Sequence, residues 1–196
     1  MSIKAVIFDL DGTITEPLLD FDIIRRDMGL DKDCASILEK LSTMPDTQKQ
    51  MAMEILDSHE KTAAEHSILN PGARETLETL KSRSIFTGIL TRNSRKCTNH
   101  VLIKHALDFD GIITREDGPV KPDAFGVLTL CRKFGVTPQS ALVVGDFLHD
   151  LLTANNAGSP AVLLKTHKNA EKFAQYADFC IDRLDEIVEI IDSYKG

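Results

Sequence analysis

Short apolar runs alternate with helix-like stretches along most of the chain, and this alternation limits the possible folds most strongly. The first run is Val6–Phe8, and the later ones are Ile85–Leu90, Gly111–Thr114, Ala141–Val144, Ala161–Leu164 and, more weakly, Phe179–Ile181. The stretches between and after them are predicted to be helices, at roughly 71–82, 94–106, 122–134, 148–157, 168–176 and 183–194. This alternation predicts an α/β fold, a Rossmann-like parallel sheet with helices on both faces.

Residues 16–70 do not follow this alternation, because they contain no convincing strand. They are predicted to form two to four helices, with one break at Gly29–Leu30 and another near Met44–Pro45. We therefore expect a core of residues 1–15 and 71–196, with residues 16–70 forming a small all-helical cap inserted after the first strand.

The composition excludes several classes of function. The net charge is −7, with 30 acidic against 23 basic residues, which disfavours binding to nucleic acid or to an anionic membrane surface. No apolar run approaches the roughly 18 residues that a transmembrane helix needs. The four cysteines are too widely spaced for a CxxC pair. No signal peptide is visible, and we expect a cytoplasmic location.

Polar residues that could take part in catalysis or bind a metal follow several of the predicted strands. Two acids, Asp9 and Asp11, come directly after the first strand. The later strands are followed by a hydroxyl, an ammonium group and two further acids: Thr91, Lys121, Asp146 and Asp150. Because the carboxyl ends of parallel strands meet at one edge of a sheet, we expect all six side chains to lie at one site.

These residue types fit the transfer of a phosphoryl group to an aspartate. A divalent cation such as Mg²⁺ could hold Asp9 and Asp146 together despite their repulsion. A carboxylate can attack phosphorus. Asp11, two residues further along an extended backbone, could protonate the leaving oxygen and later deprotonate a water molecule. Thr91 and Lys121 could then stabilise the phosphoryl oxygens.

Four motifs in order make the chain resemble the haloacid dehalogenase-like hydrolases. They are "FDLDGT" at 8–13, "ILTRN" at 89–93, "KPDAF" at 121–125 and "VVGDFLHDLLTANNAG" at 143–158. The resemblance covers nearly the whole chain and implies a Rossmann-like core with a helical cap, as in members similar to phosphoglycolate phosphatase and phosphoglucomutase. "LNPGA" at 69–73 is similar to that family's return from cap to core.

The resemblance also implies residue roles. Asp9 would be the nucleophile and a Mg²⁺ ligand, and Asp11 the acid and base, its backbone carbonyl also binding the metal. Asp146 would bind the metal directly with Asp150 in support, and the phosphoryl group would be contacted by Thr91 and Lys121.

The chain departs from the family pattern at several positions. Phe147 stands where relatives often have Ser, Arg92 follows Thr91 where Asn is common, and His149 has no role to carry over. Asn155 and Asn156 replace small apolar residues. The arginines of the insertion, Arg25 and Arg26, could reach an anionic substrate, although such a pair is more often a solvated helix face.

The sequence therefore predicts a Mg²⁺-dependent phosphatase acting on a small phosphorylated metabolite, with an unknown oligomeric state. A phosphomutase on the same scaffold and a non-catalytic binding module remain alternatives. A dehalogenase would not need Asp11 or a metal. A phosphonate hydrolase would be expected to use a lysine of the insertion, yet none stands out in an apolar setting among Lys32, Lys40, Lys49 and Lys61.

Overall fold

A computed structural model describes residues 2–31, 34 and 36–194 of the protein. Its strands are β1 (Ala5–Phe8), β2 (Phe86–Leu90), β3 (Gly111–Ile113), β4 (Ala141–Gly145), β5 (Ala161–Leu164) and β6 (Phe179–Ile181). They form one parallel sheet in the order β3-β2-β1-β4-β5-β6. The α/β Rossmann-like fold predicted from the alternating pattern is confirmed.

The sheet is covered on both faces, which explains why its strands are continuously apolar. In β1 all four residues are buried. Val6 and Phe8 belong to the hydrophobic cluster on one face, and Ala5 and Ile7 belong to the cluster on the other. Because successive side chains of a strand point to opposite faces, a strand buried on both sides has no polar position.

Nine α-helices connect and flank the strands in the described part of the chain. They are α1 (Phe21–Asp27), α2 (Ile37–Ser42), α3 (Asp46–His66), α4 (Ala73–Ser82), α5 (Arg95–His105), α6 (Phe125–Phe134), α7 (Leu148–Ala157), α8 (Ala170–Phe173) and α9 (Ile187–Ser193). Within these residues, no helix combines the length and the hydropathy that crossing a bilayer requires.

Three predicted helices are shorter than their sequence pattern suggested. Helix α6 begins at Phe125, and in the turn before it the Asp123 carboxylate accepts a hydrogen bond from the Phe125 amide (2.7 Å). The last helix starts with a 3-10 turn, Leu184–Glu186, and α8 ends in another, Ala174–Tyr176.

Residues 16–70 contain helices α1, α2 and α3, which pack on one another around a small apolar cluster of Ile24, Ile37, Leu41, Ala52 and Leu56. The two breaks fall where the sequence predicted them. Helix α1 ends before Gly29, whose φ of +69° is a left-handed conformation that favours glycine, and Pro45 precedes α3. The division of the chain into a core and a cap domain remains a prediction.

A buried ion pair joins the insertion to the core. Glu60 of α3 is 3% exposed and accepts a hydrogen bond from the Ser94 amide (3.0 Å). It also pairs with Arg115, which follows β3 and contacts Asp57 of α3 at 2.6 Å. Burial raises the pKa of Glu60, although the charge of Arg115 opposes that shift. The pair therefore holds the middle of α3 against the carboxyl edge of the sheet.

The two ends of the insertion are tied together by one buried side chain, Asn70. Its amide donates to the carbonyl oxygens of Gly12 (3.1 Å), Thr13 (2.8 Å) and Thr15 (3.0 Å), and its backbone NH donates to Ile14 (3.0 Å). A turn without regular structure thus has its buried carbonyl groups satisfied.

We expect Asn70→Ala to lower the free energy of unfolding by about 1–3 kcal/mol, because the Thr13 carbonyl oxygen loses its donor, whereas those of Gly12 and Thr15 keep Thr166 Oγ1 and the Gly12 amide. The measurement is urea denaturation followed by circular dichroism. The matched control is Asn99→Ala on the exposed face of α5, which should change the stability by less than about 0.5 kcal/mol. Equal effects of the two substitutions would contradict the assignment.

Candidate active site

The six polar residues predicted from the strand ends all line one cavity at the carboxyl edge of the sheet. β1 pairs with both β2 and β4, so the strand order changes direction there. At such a switch point the loops leaving adjacent strands part and open a crevice, which is where open α/β sheets bind ligands. Asp9 leaves β1, Thr91 leaves β2 and Asp146 leaves β4.

Three carboxyl groups crowd together at this point. Oxygen atoms of Asp9, Asp146 and Asp150 all lie within 4.8 Å of one another. Asp146 is 5% exposed and Asp150 is 2% exposed, so water screens little of their repulsion.

Two glycines permit this close approach. Gly12 has a φ of +88°, and a Cβ added there would lie 2.5 Å from Asp146 Oδ2. A Cβ added at Gly145 would lie 2.2 Å from the side chain of Asp150. Both distances are shorter than a non-bonded contact allows, so larger residues would displace the carboxylates.

Lys121 lies between two of these carboxylates. Its Nζ donates to Asp9 Oδ1 (2.6 Å) and to Asp150 Oδ1 (2.5 Å), and the side chain is buried. Burial by itself lowers the pKa of Lys121, but the charges of Asp150 and Asp9 outweigh it and hold the pKa above its usual value. The ammonium group therefore stays charged and fixes the orientation of Asp9.

Both carboxylate oxygens of Asp150 accept hydrogen bonds from other residues of the protein. While Oδ1 accepts from Lys121, Oδ2 accepts from the Phe147 amide (3.1 Å) at the start of α7. A carboxylate near a helix N-terminus is favoured by the exposed amides and the helix dipole. This side chain consequently positions Lys121 and the loop after β4.

The clustered carboxylates outnumber the single ammonium group that contacts them. Burial raises the pKa of Asp9 to about 6, against the opposing effect of Lys121. Burial also raises the pKa of Asp146 to about 8, with the charges of Asp150 and Asp9 adding to the shift. A cluster of oxygen donors with uncompensated negative charge fits a hard divalent cation such as Mg²⁺.

Asp11 also lines the cavity and contacts the beginning of the insertion. Its Oδ1 accepts a long hydrogen bond from the Leu18 amide (3.4 Å). Burial, followed by the charge of Asp9, raises the pKa of Asp11 to about 7. A carboxyl group with that pKa can both give and take a proton near neutral pH.

Thr91 completes the set predicted from the strand ends. The residue is 3% exposed, and its Oγ1 accepts a hydrogen bond from the Asn93 amide (3.1 Å). The acceptor role leaves the hydroxyl proton of Thr91 to be donated elsewhere in the cavity.

The cavity has a volume of about 200 Å³ and takes its walls from both the core and the insertion. The insertion contributes mainly apolar side chains, which are Pro17, Leu19, Phe21, Ile37, Leu38 and Leu56. The core contributes the polar floor and three aromatic or imidazole rings, those of Phe147, His149 and His167. The cavity therefore has a polar floor and a mainly apolar wall.

Sequence reasoning left several cavity residues without a role. Arg92 and His149 were noted only as departures, and the structure brings the Arg92 guanidinium into contact with His149 Nδ1. Ser36 and Glu60 also line the cavity. No motif in the sequence around them predicts this position, because only the docking of the insertion brings them there.

The two arginines of the insertion differ. Arg25 lines the cavity and pairs with Asp22, whereas Arg26 is exposed and contacts Asp27. Of the insertion's lysines, Lys40, Lys49 and Lys61 are exposed, and Lys32 lies outside the described residues. None of the three described lysines lines the cavity.

Comparisons with known proteins show which proteins this chain resembles. Residues 3–158 match the family model described as haloacid dehalogenase-like hydrolase. An uncharacterized hydrolase of Saccharomyces cerevisiae is 30% identical over 97% of this chain and 92% of its own length. A phosphoglycolate phosphatase of Mannheimia succiniciproducens is 36% identical over 49% of this chain and 44% of its own length.

Solved structures share the fold. The crystal structure of a hydrolase from Pseudomonas syringae has a TM-score of 0.82 at 23% identity, and the match covers 98% of this chain and 100% of that one. Together with the family model and the yeast relative, this places the chain's architecture and sequence in one group of enzymes: the protein is a hydrolase of the haloacid dehalogenase-like family.

Proposed function

We propose that the protein is a Mg²⁺-dependent phosphatase that hydrolyses a small phosphorylated metabolite through an aspartyl-phosphate on Asp9. The observation that carries this proposal is the cluster of Asp9, Asp146 and Asp150 beside the buried Lys121, in a cavity of about 200 Å³. A relative described as a phosphoglycolate phosphatase supports the same class of reaction.

The metal would be held by the carboxylates of Asp9 and Asp146 and by the backbone carbonyl of Asp11, with Asp150 in support. When bound, Mg²⁺ would supply positive charge to the phosphoryl oxygens and relieve the repulsion between these carboxylates.

Asp9 would attack phosphorus, forming a carboxylate oxygen–phosphorus bond while the bond to the leaving oxygen breaks. Asp11 would give its proton to that oxygen, so that the product leaves as a neutral alcohol. Asp11 would then take a proton from water, which attacks the aspartyl-phosphate and releases phosphate and Asp9. Lys121 and Thr91 would stabilise the charge that develops on the phosphoryl oxygens.

The insertion would act as the cap of a two-domain protein, with residues 1–15 and 71–196 as the core and 16–70 as the cap. Its apolar side chains line the cavity opposite the carboxylates. Closure over a bound substrate would exclude water from the reacting phosphoryl group and select the substrate by shape. A cytoplasmic location and the absence of a nucleic-acid partner remain predictions from the sequence.

Two alternatives use the same scaffold. A phosphomutase would return the phosphoryl group to its substrate instead of to water, and isomerisation of sugar phosphates without release of phosphate would identify it. A non-catalytic binding module would release no phosphate from any ester. The full set of six polar residues favours an enzyme, because none of them is missing from the cavity.

We expect hydrolysis of p-nitrophenyl phosphate to require Mg²⁺ and to stop in EDTA. Asp9→Asn should lower kcat by at least about 10³-fold, because the amide is a poor nucleophile. The matched control is Asp108→Asn at an exposed position after α5, which should retain activity. Activity that survives EDTA would contradict the role of the metal, and activity that survives Asp9→Asn would contradict the covalent step.

We expect Asp11→Asn to lower kcat/KM for an alkyl phosphate by about 10²-fold or more, because the alkoxide leaves poorly without a proton. The loss for p-nitrophenyl phosphate should be smaller, since nitrophenolate leaves without one. Steady-state kinetics with both esters measure the difference. Equal losses for the two esters would remove Asp11 from the role of general acid.

A further inference from the structure

Arg92 stands directly after Thr91 and projects into the cavity that holds the carboxylate cluster. Its guanidinium donates to Ser36 Oγ of the insertion (2.7 Å) and contacts His149 Nδ1 of α7. The side chain therefore lies where the core, the insertion and the carboxyl edge of the sheet meet.

Arg92 differs from the other arginines that are partly buried. The others each pair with an acid, in the pairs Arg25–Asp22, Arg95–Asp117 and Arg115–Glu60. Over residues 2–31, 34 and 36–194, Arg92 forms no ion pair with a carboxylate. Burial lowers the pKa of Arg92, only partly offset by more distant acids, beginning with Glu39. A half-buried cation with neutral partners is costly unless a ligand supplies the counter-charge.

The two contacts of Arg92 orient it without neutralising it. A guanidinium has five N–H groups in a planar fork, and Ser36 and His149 occupy only part of that set. Burial, followed by the charge of Arg92, lowers the pKa of His149 and favours the neutral ring. Neutral His149 can accept from the guanidinium, and the other N–H groups of this cavity-lining side chain are left for a ligand.

The phosphoryl group that reacts already has its own partners. Lys121 and Thr91 lie with the carboxylates, and Lys121 directly contacts Asp9. Arg92 reaches instead to Ser36, on the side of the cavity that the insertion closes. An oxyacid group at the other end of a short substrate would meet the free donors of Arg92, and a planar fork binds such groups through two hydrogen bonds.

We propose that Arg92 selects substrates that carry a second anionic group, a carboxylate or a second phosphate, in addition to the phosphoryl group that is removed. The proposal rests on the proposed phosphatase function. Ser36 and His149 act as positioning residues for the guanidinium, and the apolar walls of the cavity exclude water around the short connecting segment.

Three phosphate esters that share a two-carbon skeleton test the proposal. Ethyl phosphate ends in a methyl group, phosphoglycolate replaces that methyl group with a carboxylate, and ethanediol bisphosphate carries a second phosphate. With the unaltered protein and Mg²⁺, we expect kcat/KM for at least one of the two anionic esters to exceed that for ethyl phosphate by about tenfold or more. The ester with the higher kcat/KM shows whether the second anionic group is a carboxylate or a phosphate.

Arg92→Gln should remove this preference, so that the ratio of kcat/KM between the anionic ester and ethyl phosphate falls by about tenfold or more. Arg92→Lys, which keeps the charge but loses the planar fork, should retain an intermediate ratio. The matched control is Arg132→Gln on the exposed face of α6, where the ratio should not change. Thermal melting shows whether each variant is folded.

The outcomes separate this proposal from the proposed function. If p-nitrophenyl phosphate is not hydrolysed at all, the phosphatase assignment fails. If it is hydrolysed but the unaltered protein shows no preference for either anionic ester, Arg92 does not select a second anion, whether or not the variants fold. If Arg92→Gln lowers kcat/KM equally for all three esters, the guanidinium acts on the reacting phosphoryl group and the proposal is overturned.

Discussion

Repulsion between buried carboxylates at the end of β1 and β4 is the constraint on which the rest of this structure depends. Asp9, Asp146 and Asp150 cannot all stay ionised in so small a volume unless positive charge is brought to them, and Lys121 supplies the part that the protein itself provides. The cost of that arrangement is visible in the raised pKa values of Asp9 and Asp146, of which burial is the main cause. In the proposed function this site would meet an anionic substrate with positive charge, and Mg²⁺ would complete the balance.

Several features far from the carboxylates serve the same constraint. Gly12 and Gly145 provide space, because any Cβ at either position would collide with Asp146 or Asp150. Asn70 holds the loop after Asp11 by three hydrogen bonds to its carbonyl oxygens. The Glu60–Arg115 pair holds the insertion over the cavity. Packing, turn geometry and charge pairing therefore all position the same few oxygen atoms, and substitutions at these sites alter the cavity without touching a reacting atom.

The sequence predicted the sheet, its helices and the edge at which the polar residues gather, because these depend on local rules. A strand buried on both faces is continuously apolar, a surface helix repeats at its own period, and parallel strands end at a common edge. Asn70, Ser36 and Glu60 follow none of these rules. Their positions depend on where a long insertion returns and docks, which no local pattern records. The starts of α6 and α9 were also misplaced, because a turn in which the Asp123 carboxylate accepts from Phe125 and a 3-10 turn at Leu184–Glu186 take the place of the first predicted helical residues.

The order of residues along the chain by itself determined the α/β architecture and the presence of acids, a hydroxyl and an ammonium group after successive strands. Only the tertiary structure decided which of these groups touch, which arginine is left without an acidic partner, and how the insertion closes the cavity. The physical reason is the range of the interactions. Hydrophobic periodicity acts between residues a few positions apart, whereas the contact between Arg92 and His149 joins residues 57 positions apart and exists only once the sheet has formed and α7 has packed on it.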